Sequence, residues 1–211
     1  MEACDPFLDM VYDVKNFPEL NTLPLVGGID YGTSTAGNSF TVLTIGSFLP
    51  GGQFVVIYAK KYEGAESDPI YQVNDMAEIL QKYNVRAVGC DYGYGASQNR
   101  ILADLIGDHR VIEFNASGMQ KQALHFNKDG GFYTINRTLM MSEVFNGVKQ
   151  KRIVFPKWEQ SKKFLEDLLH VFIDVKENTQ TLFYSHAPNK PDDFVHSLMF
   201  AYLAGKLNQE L

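Results

Sequence analysis

The apolar residues change their spacing near residue 68, and that change restricts the chain to a small set of folds. Before it, three apolar runs at 25–30, 39–46 and 53–61 read as strands, the last two joined by the turn Leu49-Pro50-Gly51-Gly52, which implies an antiparallel meander. After Asp68 and Pro69, suited to N-cap and N1, Ile70, Val73, Met76, Ala77, Leu80 and Tyr83 recur at helical spacing. A strand at 85–91, a helix at 97–106 and a strand at 110–114 follow, and this alternation implies parallel pairing with right-handed crossovers. The fold class is therefore α/β, with a mixed sheet flanked by helices.

Beyond that point the polar stretch 115–131 reads as a long surface loop. Helices are expected at 137–150 and 159–175, strands at 152–155 and 181–185, and a final helix from Pro191 to about residue 208. Residues 1–24, with Pro6, Pro18 and Pro24, suit a linker or an edge segment, leaving 25–211 as the folded domain. Of the 211 residues 45% are apolar, enough for one buried core. Two cysteines, Cys4 and Cys90, fit a reducing compartment rather than a disulfide framework. Without a long apolar span or a basic leader, the chain is expected to be soluble and cytoplasmic.

Three acids fall at informative places. Asp30 closes the first strand in Gly-Ile-Asp-Tyr-Gly, Asp91 closes the fourth in Cys-Asp-Tyr-Gly-Tyr-Gly, and Asp192-Asp193 opens the last helix. Two carboxylates about 4 Å apart repel by roughly 4 kcal/mol at an effective dielectric near 20, so acids brought together need an offsetting charge. Oxygen-only ligands favour Mg²⁺ or Mn²⁺, and a pair of such ions supports displacement at phosphorus. The competing reading is local: strand-ending aspartates make turns, and Asp192 after Pro191 can cap a helix.

These three segments, with Lys-Pro-Asp-Asp-Phe-Val-His-Ser-Leu-Met-Phe-Ala on the last helix, resemble the nuclease domain of the large terminase subunit of tailed bacteriophages over about residues 25–205. The resemblance implies an RNase H-like (RuvC-like) fold and metal-dependent cutting of concatemeric double-stranded viral DNA during packaging. It implies that Asp30, Asp91 and Asp193 hold two Mg²⁺ or Mn²⁺ ions, with Asp192 as the adjacent candidate. A helical wheel puts Asp192 nearer the apolar stripe, but the motif favours Asp193. His196, one turn on, is a possible auxiliary. The terminase ATPase domain, the small terminase subunit and the portal are the implied partners. The chain has no Gly-x-x-x-x-Gly-Lys-Ser/Thr loop, so the motor itself is not expected within it.

The formal charge is −6, so DNA must be met by local positive surface. Lys151 and Arg152 lie in one basic stretch, and Lys121, Lys128 and the nearby Arg137 in another. Three rivals remain: a junction resolvase or transposase-type nuclease on the same fold, an actin-like nucleotide-binding domain suggested by Ile-Asp-Tyr-Gly-Thr-Ser, and a non-enzymatic DNA- or portal-docking module whose acids only cap and turn. Length opposes the second, which needs two such domains around its nucleotide.

Overall fold

The computed structural model describes residues 2–32, 39–117, 121–176, 178 and 181–209. Strands β1 (Val26–Asp30), β2 (Thr41–Phe48) and β3 (Phe54–Tyr62) form the antiparallel meander. Helix α1 (Pro69–Lys82) begins where Asp68 accepts the Tyr71 N–H at 2.8 Å. It leads to β4 (Ala87–Asp91), which pairs parallel with β1; α2 (Ala96–Ile106) then leads to β5 (Val111–Ser117), parallel with β4.

The stretch read as a long loop contains two pieces of strand. β5 runs on to Ser117, and β6 (Leu124–Asn127) turns back into β7 (Phe132–Asn136) as a hairpin. Asn127 Oδ1 accepts the Asp129 and Gly130 N–H groups, and Gly131 supplies a φ of +72°. The signal was an Asp-Gly-Gly turn between two alternating runs. Residues 118–120 of that predicted loop lie outside the described residues.

Helices α3 (Arg137–Lys149) and α4 (Trp158–His170) flank the short strand β8 (Ile153–Val154). The helix expected through 175 stops at His170; Val171–Lys176 is β9, paired with β10 (Thr181–His186) in a separate two-stranded sheet. β-Branched residues at 171, 173 and 175 favour extended backbone over another helical turn. The main sheet has the order β6-β7-β5-β4-β1-β2-β3-β8.

The last helix, α5 (Asp193–Gln209), explains why the central strands are glycine-rich. A Cβ on Gly28 would come within 2.0 Å of the Ser197 carbonyl oxygen, and one on Gly89 within 2.5 Å of the Phe200 carbonyl oxygen. Helix and sheet therefore meet nearly backbone to backbone. Ser197 Oγ pins the contact by donating to the Gly28 carbonyl at 2.9 Å. α5 runs antiparallel to β1: Gly205 lies by Val26 and Ser197 by Gly28, so Asp193 arrives near Asp30.

On the α5 face the core includes Val26, Val42, Phe114, Phe194 and Leu198; on the α1–α2 face it includes Ile29, Leu43, Met76, Val88 and Leu102. Residues 2–24 lie along the domain, with Phe155 donating its N–H to Ala3 O and accepting that of Asp5, both at 3.0 Å. No helix among the described residues is long and apolar enough to cross a membrane.

Candidate active site

Strand parity decides where the two strand-ending acids face. Side chains alternate across a strand, so Val26, Gly28 and Asp30 share one face of β1, and Ala87, Gly89 and Asp91 share one face of β4. Gly28 and Gly89 both face α5, and therefore so do Asp30 and Asp91. Because β1 and β4 are parallel neighbours, both acids also stand at the same, carboxyl-terminal, edge. The start of α5 completes the arrangement: Asp30, Asp91, Asp192, Asp193, His196 and Arg137 line one cleft of about 400 Å³.

Each acid is oriented by a different partner. Asp193, 4% exposed, accepts from Ser39 Oγ at 2.8 Å on Oδ1 and from the Phe40 N–H at 3.0 Å on Oδ2. Asp91 Oδ2 accepts the Tyr94 N–H at 2.9 Å. Asp192 Oδ2 lies 3.4 Å from Arg137 Nη2 and 3.6 Å from His196 Nε2. His196 Nε2 accepts from Arg137 Nε at 3.3 Å, which leaves the ring proton on Nδ1, 3.6 Å from Asp30 Oδ2.

Crowding of like charge shows in the titration of these groups. Burial, then the charge of Asp30, pushes Asp193 up to about 6. Asp91 is also raised, by burial first and by Asp30, against the hydrogen bonds from Tyr94 and Gly93. For His196 burial works against the charged ring, but Asp30 and Asp192 outweigh it and hold the ring above its ordinary value. Asp193 and Asp91 are thus raised as buried acids with a like charge beside them.

α5 is buried all round over residues 193–205, apart from half-buried His196, so the wheel that set Asp193 away from the core has no bearing on it. Asp192 and Asp193 both reach the cleft, from opposite flanks. The predicted basic residues divide. Arg137 is inside the cleft, while Lys121 and Lys128 are exposed on the β6–β7 side of the sheet. Lys151 and Arg152 do not join them: they precede β8, which pairs with the Phe54 end of β3. Phe54 faces Phe48, six residues along β2 from the Val42 that faces Asp30, or about 20 Å. Of the tyrosines that follow Asp30 and Asp91 in the chain, Tyr31 is buried, Tyr92 stacks on Phe132 at 4.1 Å, and Tyr94 stands 80% exposed at the rim. Thr33 and Ser34 of the nucleotide-turn resemblance lie outside the described residues.

Sequence reasoning did not find Ser39, Phe40 or Asp167. The first two carry no local signal, since 154 residues separate Ser39 from Asp193. Asp167 left a faint one, an acid beside the apolar stripe Phe164, Leu165 and Leu168 of α4.

No family model matches this chain, and no curated protein is similar to it in sequence. Solved structures are similar in fold. The large terminase nuclease from thermophilic phage G20c superposes with a TM-score of 0.60 at 15% identity, over 87% of this chain and 83% of that one. The nuclease domain of the large terminase subunit gp2 of bacterial virus Sf6, solved as a mutant with manganese and beta-thujaplicinol, gives 0.64 at 12% identity, over 85% and 87%. The HK97 bacteriophage large terminase gives 0.61 at 10% identity, over 95% of this chain but 41% of its own length. The chain has the RNase H-like fold of these nuclease domains.

Proposed function

We propose that this chain is a divalent-metal-dependent endonuclease that hydrolyses double-stranded DNA. The observation that carries the reading is the convergence of Asp30, Asp91 and Asp193 on one cleft at the carboxyl edge of two parallel strands. Support comes from the fold shared with terminase nuclease domains, one of them holding manganese.

The donor set fits a hard cation. It is made of carboxylate oxygens, with Asp193 pushed up to about 6 by burial and Asp30, the condition a bound cation relieves. Among the described residues no three ligating side chains are close enough to hold an ion as they stand; the acids turn instead to Ser39, Phe40, Tyr94 and His196. Asp30, Asp91 and Asp193 would hold the ions, with Asp192 adjacent. Bound divalent ions supply charge stabilisation at the phosphate and lower the pKa of water.

The chain's own residues do the rest. Ser39 and the Phe40 N–H hold the Asp193 carboxylate, and the Tyr94 N–H holds Asp91, so each acid is kept at the mouth of the cleft by a fixed partner. Arg137, with a side chain 36% exposed, offers the cleft a cation for a substrate phosphate. Lys121 and Lys128 meet the DNA backbone further out, without reading sequence. In this reading the chain cuts concatemeric genomes in the host cytoplasm, coupled to a terminase ATPase domain, a small terminase subunit and a portal.

The test is incubation of plasmid and of four-way junctions with the protein in Mn²⁺, Mg²⁺ or EDTA. Nicked and linear plasmid with either metal, none in EDTA and none with Asp30→Ala is the expected result. An inactive parent, or an Asp30→Ala variant that still cuts, overturns the reading; preferential symmetric cutting of junctions replaces it with a resolvase.

A further inference from the structure

Asp167 is a buried acid for which the cleft has no direct use: it is 2% exposed and does not line the cavity. Its Oδ2 accepts the Phe194 N–H at 3.0 Å, so a side chain from α4 caps the first turn of α5. Helix N-termini leave such N–H groups without intrahelical partners, and the residue before the helix ordinarily supplies the acceptor. Here that residue is Asp192, whose Oδ2 is turned to Arg137 at 3.4 Å. The task passes to Asp167, and Asp192 is left free to face the cleft.

The last turn of α4 holds the same segment at further points. His170 Nδ1 lies 3.3 Å from the Pro191 carbonyl oxygen, and the Ala187 N–H donates to the His170 carbonyl at 3.1 Å. On the other side of Asp193, Lys61 lies 3.8 Å from the centre of the Phe40 ring, whose residue also gives its N–H to Asp193. The acid pair is thus held by α4 on one hand and by Ser39 and Phe40, just before β2, on the other.

We propose that Asp167 is a positioning residue, which by capping α5 at Phe194 sets the register in which Asp192 and Asp193 enter the cleft. The proposal rests on the nuclease reading, because it concerns how that site's acids are aimed. Loss of a supporting hydrogen bond of this kind typically costs about 10- to 100-fold in metal affinity or activity.

The experiment compares the parent with Asp167→Asn, which keeps an amide oxygen able to accept the Phe194 N–H, and Asp167→Ala, which does not. Three readouts are taken: amide hydrogen exchange at Phe194, the Mn²⁺ concentration for half-maximal stabilisation in thermal unfolding, and kcat and KM for plasmid. In Asp167→Ala, exchange at Phe194 should accelerate, half-saturating Mn²⁺ should rise about tenfold and kcat should fall about tenfold, with KM for DNA unchanged. Asp167→Asn should stay within about threefold of the parent, because the hydrogen bond rather than the charge is what it retains. Parental Mn²⁺ dependence and kcat in Asp167→Ala, despite faster exchange, would reduce the cap to a structural one and overturn the proposal, as would equal damage from Asn and Ala. A parent that neither binds Mn²⁺ nor cuts overturns the nuclease reading first, and the positioning role with it.

Discussion

The centre of the large sheet and its fringes are built differently. At the centre, β1 and β4 are covered on both faces, and α5 lies so close that Gly28 and Gly89 leave no room for a Cβ. At the fringe, the β6–β7 hairpin exposes Phe126, and the separate β9–β10 sheet exposes Phe172, Ile173 and Leu182, each at least 44% accessible. The candidate chemistry sits where the backbone is most constrained, and Lys121 and Lys128 sit where it is least so. A site that gathers like charges needs a frame that does not yield to repulsion, whereas phosphate contacts tolerate loose geometry.

The comparison is broken most directly at the acids. Asp30→Ala should lower plasmid cleavage by on the order of 100- to 1000-fold while the protein stays folded, because removing one of several crowded charges relieves repulsion. Circular dichroism and a cleavage assay on the same sample check both halves; a variant that unfolds would show that the acid serves the fold instead.

Next comes the frame. Gly28→Ala should destabilise the protein by about 3 kcal/mol or more in urea unfolding, since overpacking against backbone has no flexible neighbour to yield. Phe126→Ser at the fringe should change stability by no more than about 0.5 kcal/mol. Equal effects at the two places would erase the distinction.

A pH experiment sharpens the same contrast. Asp193, at about 6, and Asp167, pushed to about 7 by burial first, hold protons more tightly folded than unfolded; Asp91 and His196 are raised as well. The native state therefore binds more protons than the unfolded one, and these groups make the metal-free protein less stable as pH rises from about 4 to 7. Divalent metal competes with the same protons, so the rise in Tm on adding Mn²⁺ should grow as pH passes about 6. Asp193→Asn should flatten both trends, and a Tm increment independent of pH would count against Asp193 as a ligand.

The smallest effects belong to the fringe. Lys121→Ala and Lys128→Ala should each weaken DNA binding modestly and reduce the slope of log K against log salt by about 1, alike on all sequences. Arg137→Ala should act more strongly, raising KM for DNA, because its guanidinium lies in the cleft itself.

Much of this was legible before any coordinates. Asp68 and Pro69 announced α1, and the alternation of strand and helix announced the parallel half of the sheet. The failures share a cause. Val171–Lys176 continues the apolar character of α4 without a cap or glycine between them, so the β-branched residues at 171, 173 and 175 were the one local mark of the change from helix to strand. In the polar 115–131 stretch, β6 is only four residues long and half exposed, so the Asp-Gly-Gly turn was its chief mark in the sequence and pairing with β7 completes it.

What the sequence by itself determined was the position of each acid along its own element: Asp30 and Asp91 at strand ends, Asp192 and Asp193 at a helix start. Those features follow from periodicity and turn residues within a few positions, which act locally. Only the tertiary structure decided which side chains would hold the acids, bringing Ser39, Phe40, Asp167 and Arg137 to them and sending Lys151 and Arg152 to the far end of the sheet. Such partners are chosen by how α5 docks on the glycines of β1 and β4, and contacts made across 27 to 154 residues leave no local pattern to read.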